Sequence, residues 1–114
     1  MPPIYKICPV SEWRVAEAAG AYRGSAVDLK DGFIHFSTAE QARETAAKHF
    51  AGLHDLVLVS VDADALGPAL KWEPSRGGAL FPHLYGDLPL TAVRSIAPLP
   101  LGPDGRHAFP HAFA

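Results

Sequence analysis

The sequence predicts an α+β fold, and three observations favour it. The chain has 114 residues, which is the usual size of one domain. Hydrophobic residues make up 48% of it and charged residues 19%, so a substantial core can form. Predicted strands and helices are mixed without the regular strand–helix–strand alternation of a doubly wound sheet. We therefore expect a single domain over residues 1–114, with a core at about 4–99 and an irregular tail at 100–114.

Two elements are predicted in the first 20 residues, and an irregular segment follows them. Residues 4–8 alternate loosely between apolar and polar and run into Pro9, which predicts a first strand. Ser11 offers an N-cap for a helix that ends before Gly20. Residues 21–30 show no clear period, so we expect an irregular surface segment there.

The clearest local pattern follows the turn signal Asp31-Gly32. Residues 33–36 predict a short strand. A capping-box pattern, Ser or Thr followed three positions later by Glu or Gln, then occurs in two registers, from Ser37 and from Thr38. Apolar residues at helical spacing continue from there, and they predict a helix over about 38–51.

The remaining elements are predicted from apolar runs and from Gly and Pro. Residues 56–61 are almost continuously apolar and β-branched, which predicts a central strand buried on both faces. We expect a loop with a helical turn at 62–70 and a short strand at 71–73. Residues 74–86 are rich in Gly and Pro but also contain large apolar side chains, so an ordered, partly packed loop is expected. A last strand is predicted at 92–99.

Composition argues against several classes of function. The formal net charge is −2 and no basic run occurs, which gives nucleic-acid binding little support. No apolar stretch approaches the roughly 20 residues of a membrane span, and the N-terminus lacks the pattern of a signal peptide. Cys8 is the one cysteine, which fits a reducing compartment, and we expect it to be a small buried hydrophobe. These features predict a cytoplasmic protein.

The first candidate site is the segment from His35 through Ser37 and Thr38, at the predicted junction of strand and helix. A helix N-terminus exposes unpaired backbone N–H groups and partial positive charge, so it suits phosphate or carboxylate. The alternative is that His35 is a structural hydrogen-bonding residue and that the two hydroxyl residues serve only as caps.

The second candidate site combines Trp72, Glu73 and Arg76 with the glycine pair 77–78. The indole offers a stacking platform, the guanidinium can clamp an anion, and the glycines let a ligand approach the backbone. Glu73 is a candidate base, or a group that stabilises a developing cation. The alternative is a surface ion pair between Glu73 and Arg76 beside a Trp that packs in the core.

The third candidate site is formed by His83 and Tyr85. Residues two apart in an extended chain share one face, so the pair can line a pocket. The alternative is a packed loop with one hydrogen-bonded His.

A metal site is not expected, although the chain contains six His residues. His107 and His111 have the spacing of helical zinc ligands, but Pro110 lies between them and opposes a helix.

Taken together, four segments resemble a bacterial family called domain of unknown function 952. They span residues 31–41, 56–62, 70–73 and 81–90, and their order and spacing extend the resemblance from about residue 4 to residue 99. Members of this family are similar to the ADP-ribosylation fold. The resemblance implies an α+β scaffold with a mixed, split and bent sheet around a cleft and with two main helices.

The same resemblance implies roles for particular residues and makes NAD a candidate substrate, with no certain cofactor. His35 looks like the strand-borne His that meets the NAD ribose. Tyr85 or Trp72 would stack on nicotinamide, and Glu73 would be the carboxylate that supports glycosidic chemistry.

Three hypotheses for function follow. The first is a nucleotide-dependent transferase or glycohydrolase, with His35 and Glu73 as catalytic residues. The second is a non-catalytic module that binds a small anionic metabolite. The third is a protein-interaction module with an exposed patch of Trp72, Phe81 and Tyr85. The oligomeric state stays open.

Overall fold

The computed structural model describes residues 2–75 and 77–110. The helices are α1 (Val10–Ala19), α2 (Ala26–Asp31) and α3 (Ala39–His49), with 3₁₀ turns at Ala63–Ala69 and Leu90–Ala92. The strands are β1 (Ile4–Pro9), β2 (Ala21–Tyr22), β3 (Ile34–His35), β4 (Leu56–Val61), β5 (Leu70–Ser75), β6 (Ala79–Leu84), β7 (Leu88–Pro89) and β8 (Val93–Pro98). The predicted α+β class is confirmed.

The strands form three small sheets. Their orders are β1-β4-β8, β2-β7 and β3-β6-β5. The β-structure is therefore split, but the prediction of a mixed sheet is wrong, because every ladder between the described strands is antiparallel. The physical reason is that neighbouring strands meet in opposite directions: β1 and β4, for example, pair antiparallel although three helices, α1 to α3, separate them along the chain.

The hydrophobic core lies on both faces of β4. One cluster contains Val57, Val59 and Val61, which pack with side chains such as Trp13. The other contains Leu56 and Leu58. The prediction of a central strand that is buried on both faces is confirmed, since β4 lies between β1 and β8.

The first helix begins earlier than predicted. Pro9 occupies the N-cap position and makes no side-chain capping bond, so the prediction that Ser11 caps this helix is wrong. The chain passes directly from β1 into α1, which leaves no room for a separate capping residue. The predicted end is confirmed, since Gly20 adopts the left-handed conformation with φ of 85°.

A third helix, α2, lies in the segment that was predicted to be irregular. Ser25 and Asp28 form a capping box at its start. The hydrophobic pattern does not reveal this helix, because its large apolar side chains are exposed and a charged side chain is buried. Val27 and Leu29 are 55% and 67% exposed, whereas Asp28 is buried. Rules that place apolar residues inside cannot detect such a helix.

The capping box of α3 uses the Thr38 register. The Thr38 hydroxyl accepts a hydrogen bond from the backbone N–H of Gln41, and the Gln41 side chain accepts one from the backbone N–H of Thr38. The predicted helix is confirmed, but it ends at His49 rather than near residue 51.

Part of the segment predicted as an ordered loop is β6, the middle strand of its sheet. It pairs with β5 over its whole length. The loop was expected from the Gly and Pro content of residues 74–86, and proline rarely occupies a central strand, yet Pro82 lies within β6. Its carbonyl accepts a hydrogen bond from the backbone N–H of Phe36, at 3.0 Å, on the side of β3.

The described part of the tail, residues 99–110, is irregular but anchored. Leu99 is fully buried, and Phe109 packs against the second core cluster. An isolated bridge joins Leu101 to His107. Within residues 2–75 and 77–110, no helix has the length and apolar character that crossing a bilayer requires.

Candidate functional site

The sheet β3-β6-β5 brings four of the predicted site residues together on one face. His35 on β3 is the pairing partner of His83 on β6, and the centroids of their rings lie 5.5 Å apart. Glu73 on β5 and Tyr85 just after β6 lie beside His83. The whole third candidate site, Glu73 of the second and His35 of the first therefore meet at one place.

Glu73 links His83 and Tyr85 on this face, because one of its oxygens contacts both side chains. His83 Nδ1 lies 2.8 Å from Glu73 Oε1, and the Tyr85 hydroxyl donates to the same oxygen at 2.8 Å. The bond from His83, and then the bond from Tyr85, hold the pKa of Glu73 below its usual value. The bond to Glu73 in turn raises the pKa of Tyr85. Glu73 is thus a carboxylate at neutral pH, and its side chain is 35% exposed.

The alternative pairing of Glu73 with Arg76 is not described, because Arg76 lies outside the described residues. The observed partners of Glu73 are His83 and Tyr85.

Phe33 completes the face, and the sequence interpretation missed it as a site residue. Its ring stacks on His83 with centroids 4.1 Å apart, and it lies 4.5 Å from the ring of His35 and 5.2 Å from that of Tyr85. The signal was present in the sequence, because Phe33 and His35 are two apart and share one face of an extended chain. Phe33, His35, Glu73, His83 and Tyr85 are called the histidine face below.

Asp28 holds His35 from the buried side and was also missed. Its side chain is 1% exposed. Oδ1 lies 2.6 Å from His35 Nδ1 and accepts from the backbone N–H of His35 at 3.2 Å. Oδ2 accepts from Lys6 Nζ and from the backbone N–H of Ser25, both at 2.8 Å. The capping-box spacing from Ser25 marks Asp28 only as a helix-start residue, and its contacts with Lys6 and His35 come from other elements.

The electrostatics of Asp28 follow from these contacts. Burial raises the pKa of the Asp28 carboxyl, but the hydrogen bond from His35, the charge and hydrogen bond of Lys6 and the backbone bond from Ser25 outweigh it. The pKa consequently lies well below its usual range. Lys6 is itself buried and also donates to the backbone carbonyl of His35 at 3.1 Å. A buried ion pair therefore supports the position of His35.

A second carboxylate, Asp31, reaches the other nitrogen of His35. The distance from Asp31 Oδ2 to His35 Nε2 is 3.0 Å. Asp31 lies at the end of α2 and its side chain is 41% exposed. His35 thus has a buried carboxylate at Nδ1 and an exposed one at Nε2.

A cavity of about 610 Å³ adjoins this arrangement. Lys6, Asp28, Asp31, His35 and Ser37 are among the residues that line it. Its volume lies within the range of small-molecule sites. His35 lies both on the cavity wall and on the histidine face, so it connects the two.

The other predicted ligand residues lie elsewhere or are used within the fold. Ser37 is buried, and its hydroxyl lies 2.9 Å from the hydroxyl oxygen of Thr45. Thr38 caps α3. Trp72 packs against the first core cluster, on the opposite face of β5 from Glu73. The ligand contacts predicted for these three residues stay predictions.

Cys8 is buried, as predicted. Burial raises the pKa of its thiol to about 12, so the thiolate is scarce at neutral pH and nucleophilic catalysis by Cys8 is disfavoured. Among the described residues, no three His, Cys, Asp or Glu side chains are grouped so that they can hold a metal ion. His107 and His111 were considered above as zinc ligands. Nε2 of His107 lies 2.9 Å from the carbonyl oxygen of Leu53, and His111 lies outside the described residues.

Comparison with known proteins agrees with the fold described above. The crystal structure of protein CC0527 from Caulobacter crescentus is 56% identical, covers 93% of each chain and matches with a TM-score of 0.90. The solution NMR structure of CC0527 is 57% identical, covers 93% of this chain and 91% of its own, and has a TM-score of 0.84. No curated protein matches the chain. Residues 7–96 match the family described as protein of unknown function DUF952, and the chain therefore belongs to that family.

Proposed function

We propose that the protein binds a nucleotide-type ligand at the histidine face and acts on its glycosidic bond, as an ADP-ribosyl transferase or a glycohydrolase does. One observation carries the proposal: His35 and His83 share the histidine face, and each has a carboxylate at Nδ1, the buried Asp28 for His35 and the partly exposed Glu73 for His83. Titratable groups gathered in this way beside a cavity are typical of acid–base and electrostatic catalysis.

Each residue has a distinct role in this proposal. Glu73 is ionised and partly exposed, so it can stabilise the positive charge that develops on a sugar ring as a glycosidic bond breaks. His35 orients a ribose hydroxyl. Phe33 and Tyr85 offer aromatic surface to a flat base. The reaction class, with NAD as the candidate substrate, comes from the resemblance to the ADP-ribosylation fold that the sequence led us to expect, and it is part of the proposal.

A second candidate is a binding module for a small anionic metabolite. It is favoured by the cavity of about 610 Å³, which has the buried ammonium of Lys6 on its wall. This candidate predicts saturable binding without turnover.

The protein-interaction hypothesis has weaker support from the geometry. It requires Trp72, Phe81 and Tyr85 to form an exposed patch. Phe81 is buried and Trp72 packs against the core, whereas Tyr85 is exposed. The three rings therefore do not form one exposed surface.

Amide NMR titrations with NAD, ADP-ribose and nicotinamide test the proposed function. We expect shifts confined to the histidine face and the cavity wall, together with turnover of NAD. Glu73→Gln should lower kcat, and His35→Ala should weaken binding. Glu40→Gln, an exposed carboxylate on α3, is the matched control.

Absence of shifts at millimolar ligand would exclude the nucleotide. If the ligand causes shifts but no turnover, and wild type and Glu73→Gln behave alike, the enzyme hypothesis is wrong and the binding-module hypothesis is favoured.

A further inference from the structure

The hydrogen bonds around Asp28 determine where the proton of His35 is held. Oδ2 faces two donors, Lys6 Nζ and the backbone N–H of Ser25. Oδ1 faces the backbone N–H of His35 as well as the ring nitrogen Nδ1. Three N–H donors besides the ring, one of them the ammonium of Lys6, thus converge on the two oxygens, and they stabilise Asp28 as the carboxylate. The hydrogen in the 2.6 Å contact between Oδ1 and Nδ1 consequently belongs to the ring.

This assignment defines the chemistry of the other ring nitrogen. In a neutral imidazole with hydrogen on Nδ1, Nε2 carries a lone pair and accepts hydrogen bonds. Asp31 Oδ2 lies 3.0 Å from Nε2 and is itself an acceptor, so that contact is satisfied only when the ring carries a second proton. Asp31 is exposed and can swing away, whereas Asp28 is held in the interior by Lys6 and Ser25.

We propose that Asp28 is a positioning residue that keeps His35 in the Nδ1–H tautomer, so that Nε2 accepts a hydrogen bond from a ligand hydroxyl, and that Asp31 competes with the ligand for Nε2. The ligand part of this inference rests on the proposed function, because the hydroxyl belongs to the ribose of the nucleotide. The tautomer part concerns the protein alone. It assigns the His35–ribose contact a direction, from hydroxyl donor to imidazole acceptor.

Long-range proton–nitrogen NMR spectra of the imidazole rings test the tautomer in the wild-type protein without ligand. At a pH where His35 is neutral, we expect the Nδ1–H form. Observation of the Nε2–H form in the wild type would overturn the proposal without the need for any variant.

Three variants separate a positioning role of Asp28 from a purely structural one. In Asp28→Asn, the amide oxygen should turn to the two donors at Oδ2, which places the NH₂ group against His35 Nδ1. That nitrogen must then accept, so we expect His35 to switch to the Nε2–H form while His83 keeps its own tautomer. Asp31→Asn acts only at Nε2 and should leave the tautomer unchanged. A switch in Asp31→Asn but not in Asp28→Asn would refute the assignment, and Asp28→Glu should restore the wild-type tautomer.

Binding of ADP-ribose tests whether Asp31 competes with the ligand for His35 Nε2. Asp28→Asn should weaken binding about tenfold, the size expected when the hydrogen bond from the ligand hydroxyl to His35 Nε2 is lost. Asp31→Asn should not weaken binding. Weaker binding in Asp31→Asn would contradict the competition. If ADP-ribose binds none of these proteins, the proposed function fails, while the wild-type tautomer still decides the role of Asp28.

Discussion

Replacement of Lys6 by Met tests the buried ion pair that supports the site. The Lys6 and Asp28 side chains are 6% and 1% exposed, and Nζ lies 2.8 Å from Oδ2. Met retains most of the apolar stem but leaves the Asp28 carboxylate without its cation. Removal of one partner from a buried ion pair typically costs about 3–5 kcal/mol.

The expected loss lies at the lower end of that range, at about 3 kcal/mol. Asp28 keeps its bonds from the His35 ring, the His35 backbone and the Ser25 backbone, and these continue to stabilise the negative charge. Urea denaturation at pH 7 measures the loss. With a slope of about 1.5 kcal/mol per molar, the midpoint should fall by about 2 M.

Lys48→Met is the matched control, because it makes the same substitution in an exposed pair. Lys48 lies 3.2 Å from Glu44 on α3, and both side chains are more than half exposed. This change should cost less than about 0.5 kcal/mol. If Lys6→Met costs no more than Lys48→Met, the buried pair does not stabilise the fold and our account of Asp28 is wrong.

The difference between wild type and Lys6→Met should also depend on pH. The folded-state pKa of Asp28 lies below its ordinary value of 3.8. Its contribution to the free energy of unfolding is therefore complete above that value and is lost as pH falls toward the folded-state pKa. Because Lys6 causes part of the depression, the two midpoints should converge as pH falls below about 4. A constant difference down to pH 2 would contradict this reasoning.

Three further predictions concern single side chains. Cys8 should not react with a thiol reagent such as DTNB in the folded protein at pH 8 and should react on unfolding in urea, because burial raises its pKa to about 12; rapid labelling of the folded chain would contradict its burial. Tyr85→Phe should raise the pKa of Glu73, measured by carboxyl ¹³C NMR, because one of the two hydrogen bonds that lower it is removed; an unchanged value would mean that His83 alone depresses it. Thr38→Ala should lower the free energy of unfolding by about 1 kcal/mol, because the N-cap of α3 is lost. Glu40→Ala, a change at an exposed site, is the control; if Thr38→Ala costs no more than this control, the capping assignment is wrong.

Some elements that depend on near neighbours in the chain, such as α3 and β4, were predictable from the sequence, whereas α2 was not. The α3 cap needs only Thr38 and Gln41, which are three residues apart and satisfy the same pattern in any protein that forms this helix. The apolar run of β4 likewise predicts burial on both faces, because each of its side chains must avoid water whichever sheet it joins. The candidate residues His35, Glu73, His83 and Tyr85 were chosen by chemical type, spacing and the family resemblance, and the structure groups them on one surface.

Contacts across the chain were decided by the tertiary structure. From the sequence, Glu73 was expected either to serve a ligand or to pair with Arg76. The register of β5 against β6 instead brings His83, ten residues away, within hydrogen-bonding distance of it. Asp28 lies 22 residues from Lys6, and a short helix with inverted burial gave no sign that its Asp would point inward. A buried carboxylate is stable only where several donors converge on it, and that convergence arises when β1, α2 and β3 pack together. The sequence by itself therefore determined the main local elements and the residue types of the site, whereas packing alone decided which charge is buried and which ring nitrogen it holds.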